Sequence, residues 1–173
     1  GDAVNELFAS INANDFKLFG EYDIIPSVQP THATSDMYWA KDRLGEQRLT
    51  GAYAYKQLLD ENKWIPLGTD FPVEDISPFR TFHSAVFRTD AKEYPPGGFQ
   101  KENALTRKEA LRGMTIWAAK ANFEENEKGS LEKGKLADFV ILDQDIMTID
   151  ANDVLTTSVL AIYVNGERVY QKK

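Results

Sequence analysis

Cysteine is absent from the 173 residues. Its absence excludes disulfides, Cys-ligated zinc, iron–sulfur clusters and thiol nucleophiles, and gives no sign of export, so a cytoplasmic protein is expected. Histidine occurs only twice, at His32 and His83. No apolar run approaches the roughly 18 residues of a membrane span, and Gly1-Asp2-Ala3 lacks the basic stretch of a signal peptide. Basic surface is missing too. The net charge is −7. Residues 1–86 hold 13 acids against 7 bases, and residues 87–173 hold 14 against 13. Neither half has the positive face of a nucleic-acid binder. Like-charged runs are too short for an interaction tail. The glycines of Gly129 to Gly134 precede a strand-like segment, the wrong order for a phosphate loop, and there is no Gly-x-Ser-x-Gly elbow.

What is present describes a globular chain, 42% hydrophobic and 27% charged. It is long enough for one core, yet shorter than the roughly 250 residues of an eight-stranded α/β barrel. Val4, Leu7, Phe8 and Ile11 stand at helical spacing after Asp2, and Asn14 is a cap for a turn through Phe16 and Phe19. Ile24 to Gln29 and Trp64 to Thr69 read as short strands. Ser35 is the expected cap of a helix that stops at Gly45, and a longer helix carries Leu49, Ala52, Tyr53 and Leu59. Ser77-Pro78 opens a helix with Phe79, Phe82 and Val86 inward. Thr106 to Glu109 is a capping box for a helix burying Leu111, Met114, Thr115 and Ala118. Phe139 to Leu142 is a strand, and Asn165-Gly166 is the turn of a hairpin. The first 128 residues alternate strand and helix, which predicts parallel α/β units. The last 45, residues 129–173, are mostly strand and predict an antiparallel annex.

Two strand ends draw attention. One strand runs into Pro30-Thr31-His32 and the other into Asp70-Phe71-Pro72. Ligands of parallel α/β folds gather at the carboxyl ends of strands. Imidazole binds metals, and a carboxylate binds metal or takes a proton from water. Each residue also has a bland alternative: His32 bonded to a loop carbonyl, Asp70 capping its turn. Asp36 and Arg43 follow His32 and either face a site or are solvated. Arg88 with Gly97 and Gly98 in the Pro-Pro-Gly-Gly segment is either a substrate lid or an ordinary loop. His83, beside Phe82, reads as structural. Tyr38, Trp39 and Tyr55 read as core.

Several stretches, in order from about Asp15 to Tyr170, closely resemble amidohydrolase family 3. They are Ser27-Val28-Gln29-Pro30-Thr31-His32-Ala33, then Gly68-Thr69-Asp70-Phe71-Pro72-Val73-Glu74, then Leu105 to Leu111, then Glu127 to Val140, and the closing hairpin Val164 to Tyr170. The resemblance implies a metal-dependent hydrolase of C–N bonds other than peptide bonds, acting on a small amide-type molecule such as an N-substituted formamide. It implies the C-terminal part of a (β/α)8 barrel followed by strands of a small β-sandwich. It makes His32, at the end of barrel strand six, a metal ligand or a member of the metal centre. It makes Asp70, at the end of strand eight, a metal ligand and the group that handles the nucleophilic water. A divalent ion, zinc, is implied for the intact enzyme.

The family's metal centre also uses a His-x-His pair on the first strand, a Lys or Glu on the fourth and a His on the fifth. Two histidines cannot supply that set. Gly1-Asp2-Ala3-Val4 resembles the segment just past strand four, and Asn5 to Asp23 is too short for the helix and strand that should follow. The expectation is therefore a C-terminal third lacking strand five, inactive and without a bound metal by itself, and self-associating into a homo-oligomer through unpaired strand edges. The opposing expectation is a non-catalytic α/β binding or regulatory module derived from an amidohydrolase.

Overall fold

A computed structural model describes residues 4–6 and 10–173. The helix expected over residues 2–11 is corrected at its centre, where Val4–Glu6 is strand β1; the remainder, up to residue 9, lies outside the described residues. β1 pairs in parallel with β2 (Ile25–Ser27), Val4 opposite Ile25. Helical spacing of four apolar residues yields here to a ladder with a neighbouring strand. Between them lies α1 (Phe16–Glu21), which buries Phe16 and Phe19. Asp15, not Asn14, occupies its N-cap.

β2 leads straight into α2 (Pro30–Asp36), with proline in the first turn where its missing N–H costs nothing. The helix expected from Ser35 thus begins five residues earlier. A second segment, α3 (Ala40–Leu49), is interrupted at Gly45, whose φ of 72° and ψ of 164° are not helical. The longer helix starts only at α4 (Tyr55–Asn62). The expected strand 64–69 is reduced to one parallel bridge, Val28 opposite Leu67. Two backbone bonds flank it: Val28 N–H donates to Pro66 O at 3.2 Å and Gly68 N–H to Val28 O at 3.0 Å. Among the described residues no strand stands between these two segments, which are neighbours in this chain.

α5 (Pro78–Phe87) buries Phe82 and Val86, as its spacing predicts. α6 (Arg107–Met114) carries the expected capping box: Glu109 N–H donates to Thr106 Oγ1 at 3.2 Å, and Thr106 N–H to Glu109 Oε2 at 2.7 Å. The helix breaks at Thr115 and resumes as α7 (Ile116–Ala121). Its buried residues are Ala110 and Gly113, while Leu111 is 37% exposed. Gly113 sets this orientation. A Cβ there would stand 2.5 Å from Leu67 Cγ, so only glycine lets α6 come close enough for Leu67 N–H to donate to Gly113 O at 3.0 Å.

The C-terminal strands β3 (Phe139–Leu142), β4 (Val159–Val164) and β5 (Glu167–Gln171) form an antiparallel sheet in the order β3-β4-β5. An additional helix, α8 (Ala151–Thr156), packs against α5. Its Val154 is fully buried in the same core as Phe82, and Arg107 donates to the carbonyls of Ile146 and Ile149. The architecture is α/β with a small antiparallel sheet. Among the described residues no helix is long and apolar enough to cross a membrane.

Two residues of α5 yield predictions. Phe82 is 0% exposed, so Phe82→Ala should cost about 3–5 kcal/mol. Asp70→Asn, at a half-exposed turn, should stay within about 1 kcal/mol of the parent. Denaturant melts check both; a larger loss for Asp70→Asn would make Asp70 a structural cap. His83 is 2% exposed. Burial pulls its imidazole down from 6.5 to about 4, opposed by Asp90 and aided by Arg80. Between those values the unfolded chain binds the extra proton, so stability is lost as the pH is lowered, by up to about 1.4 kcal/mol per unit and about 3 kcal/mol in total. His83→Phe should remove that part of the slope in melts run from pH 7.5 to 4. An unchanged slope would contradict the burial of a neutral imidazole.

Candidate functional site

The bridge between Val28 and Leu67 places the two following segments side by side. On one, Pro30 starts α2 and His32 N–H donates to Gln29 O at 3.1 Å, so His32 occupies a helical first turn rather than a loop. On the other, the chain reverses at Asp70, whose φ of 60° lies in the left-handed region that Asp tolerates better than most residues. Asp70 O accepts from Val73 N–H at 2.8 Å and Glu74 N–H at 3.1 Å, folding Glu74 back over α2.

The side chains then meet. His32 Nε2 lies 3.0 Å from Asp70 Oδ2, and His32 Nδ1 lies 3.8 Å from Glu74 Oε1. An ionised carboxylate only accepts, so the Nε2 hydrogen is donated to Asp70. Ser35 Oγ donates to Glu74 Oε1 at 2.7 Å. The imidazole therefore sits between two carboxylates, each held by the turn that begins at Asp70. All three groups are partly open to solvent, at 29%, 36% and 21% of their side-chain surface. The arrangement can orient the ring, hold a proton at the Nε2–Oδ2 contact and pass it to a molecule placed above.

Glu74 and Ser35 are the members that sequence reading missed as site residues. Their spacing held the signal. Ser35 is one helical turn after His32, and Glu74 is four residues after Asp70 in a tight turn. Asp36 joins the border of the site, accepting from Tyr53 OH at 2.8 Å. Burial, with help from Asp36, holds the Tyr53 phenol well above its usual range. Arg43 is exposed.

The lid reading of Arg88 is corrected. Arg88 is 0% exposed. It donates through Nε to Phe99 O at 2.8 Å, through Nη1 to Tyr53 O at 3.2 Å and through Nη2 to Gln100 Oε1 at 3.0 Å. Its guanidinium lies over the rings of Tyr55 and Phe99, 5.1 and 5.7 Å from their centroids. It is a buried post beneath the site. Gly98 belongs to the same packing: a Cβ there would be 2.7 Å from Phe87 O. Gly97 has nothing within 4 Å of its Cβ position. None of the three bonds to His32 or Asp70. Of the aromatics expected in the core, Tyr55 is buried, whereas Tyr38 and Trp39 are 59% and 47% exposed. Tyr38 stacks on Tyr94 and donates to Asp90.

By themselves these donors do not complete a zinc site. A catalytic zinc takes three protein ligands. Here His32 and Asp70 offer two, and Glu74 faces the opposite ring nitrogen, so the three do not converge on one point. Among the described residues no group of three or more His, Asp and Glu side chains is placed to hold a metal.

The sequence pattern of the amidohydrolase family matches residues 8–170. The chain is 38% identical over 156 residues to Protein LONG AFTER FAR-RED 3 of Arabidopsis thaliana, covering 88% of this chain and 26% of that protein. It is 31% identical over 120 residues to the N-substituted formamide deformylase of Arthrobacter pascens, covering 69% and 22%. A crystal structure of an uncharacterized metal-dependent hydrolase from Pyrococcus horikoshii superimposes with a TM-score of 0.74 at 29% identity, covering 84% of this chain and 29% of that one. The chain thus spans about a quarter of the length of the curated relatives it matches. With the pattern running almost end to end, and with both strand-end motifs inside it, the chain belongs to the amidohydrolase family.

Proposed function

We propose that this chain forms the C-terminal part of a metal-dependent hydrolase that cleaves C–N bonds other than peptide bonds in small amide or formamide molecules. In the whole protein its α/β portion supplies the late strands of a (β/α)8 barrel, and β3–β5 supply strands of a small β-sandwich. The observation that carries the reading is the His32–Asp70 pair, 3.0 Å apart at two adjacent strand ends. Family membership supports a hydrolase and a divalent metal. The similarity to a formamide deformylase supports the bond type.

In this reading Asp70 is the base. Its carboxylate takes a proton from water, the water oxygen bonds to the substrate's carbonyl carbon, and the C–N bond breaks as that proton is delivered to the departing nitrogen. His32 keeps the Asp70 carboxylate aimed, and Glu74, held by Ser35, stands on the far side of the ring. In the whole protein His32 and Asp70 would supply two ligands to a divalent ion whose remaining ligands come from other parts of that protein; no step is routed through it here.

Release of amine from N-substituted formamides and simple amides, measured with zinc supplied, tests the proposal. The chain alone should show neither turnover nor zinc retained after dialysis. A full-length protein carrying this segment should hydrolyse at least one substrate, and Asp70→Asn in it should lower kcat by about 10²–10⁴ with an unchanged melt. An Asp70→Asn enzyme of full activity would contradict the role of Asp70. A full-length protein inactive on every amide would favour the binding module.

A further inference from the structure

Helix α2 carries His32, and the phenols of Tyr53 and Tyr55 hold its two ends. At the start, Gln29 occupies the N-cap, its side chain makes no capping bond, and the next residue is proline. Gln29 O accepts from His32 N–H at 3.1 Å and from Tyr55 OH at 3.1 Å. A carbonyl has two lone pairs, so the oxygen that holds the backbone of His32 is itself fixed by Tyr55. The backbone of Ala33, one residue further on, interacts with the same hydroxyl. At the far end Tyr53 OH donates to Asp36 Oδ2 at 2.8 Å. Both tyrosines are buried, at 6% and 5% exposure.

The two phenols belong to one braced unit. Tyr53 has a φ of 53°, in the left-handed region that a bulky residue rarely enters. Tyr55 N–H donates to Tyr53 O at 3.0 Å around Ala54, whose φ of −85° and ψ of 53° are those of an inverse γ-turn. Arg88 Nη1 donates to the same Tyr53 O at 3.2 Å, and its guanidinium lies over the Tyr55 ring. A strained backbone persists only where its surroundings hold it, and this one sends a hydroxyl to each end of α2. Burial holds both phenols well above their usual range, so each keeps the proton it donates. Gln29, Ala33 and Asp36, at i, i+4 and i+7, share one stripe of the helix, and His32 and Ser35 lie on the neighbouring face. Rotating α2 by about 10° would carry side-chain atoms at a helix radius of about 5–6 Å by about 1 Å. That is enough to break the 3.0 Å contact of His32 Nε2 with Asp70.

We propose that Tyr53 and Tyr55 are positioning residues, which together fix the rotation of α2 and so aim His32 at Asp70. Their hydroxyls bond to Gln29 and Asp36, not to the His32 ring or to Asp70, so they act only through the helix. That this aim serves hydrolysis rests on the proposed function, whereas the positioning is a property of the chain and is read without turnover.

The test is the NMR resonances of the His32 ring. Asp70→Asn should move them in the parent chain, because the Nε2 hydrogen loses a charged acceptor. In Tyr55→Phe, which removes one oxygen and keeps the ring packing, the same Asp70→Asn change should move them about half as far or less, as coupling between the two sites requires. Phe19→Leu loosens α1, which meets the opposite end of α4 beside Glu61, and should leave the response whole. An undiminished response in Tyr55→Phe, or an equal loss in Phe19→Leu, would overturn the proposal. If Tyr55→Phe fails to fold, Tyr53→Phe, at the other end of α2, decides by the same comparison. In a full-length protein carrying this segment, Tyr55→Phe should lower kcat about 10–10²-fold with KM nearly unchanged. A weakened His32 response with full kcat would uphold the positioning and count against hydrolysis by the His32–Asp70 pair.

Discussion

The parallel contact between Val28 and Leu67 is the constraint on which the rest depends. It is short, a single bridge with two flanking hydrogen bonds. Yet it joins segments separated by the whole of α2, α3 and α4. Because strand ends are rigid compared with the loops above them, fixing the two ends fixes where the chain turns next. Pro30 then starts a helix at once, and Asp70 reverses the other segment. His32, Asp70 and Glu74 meet as a consequence of those two backbone events.

The pair is supported from below by buried polar groups rather than by apolar packing alone. A fully buried arginine is unusual unless its donors are satisfied. Arg88 meets that requirement with carbonyls of Tyr53 and Phe99, the side chain of Gln100 and two aromatic faces. Tyr55 in turn donates to Gln29 O at 3.1 Å, the residue just before α2. A chain of contacts therefore runs from the end of α5 to the helix that carries His32. On the other side of α2 the accounting is incomplete, since Thr31 Oγ1 and His83 Nε2 are buried without a hydrogen-bond partner.

Local signals were legible where a few neighbouring residues decide the outcome. The Thr106–Glu109 box, the Ser77-Pro78 start and the Asn165-Gly166 turn each depend on the types of a few adjacent residues, and each appears as read. The two strand ends were also legible, since Pro30 and the Asp70 turn punctuate them. Features set by distant partners were not. Residues 4–6 pair with β2 despite a helical apolar pattern. Arg88, one residue past a helix, reads as a surface charge because its partners Tyr55 and Phe99 come from other elements. Leu111 turned outward because Gly113 must face Leu67. The beginning of α2 was misplaced for a simpler reason: Ser35 is a good cap in isolation, but Pro30 is a helix-starting signal as well.

The most direct measurement is amide hydrogen exchange at Val28 and Gly68, the two donors that hold the strands together. Both are predicted to exchange only with global unfolding of the chain, as core amides do. They should be as protected as the amides of α5 around Phe82. Rapid exchange at either position under native conditions would mean that the two strand ends are not held as neighbours, and the approach of His32 to Asp70 would lose its cause.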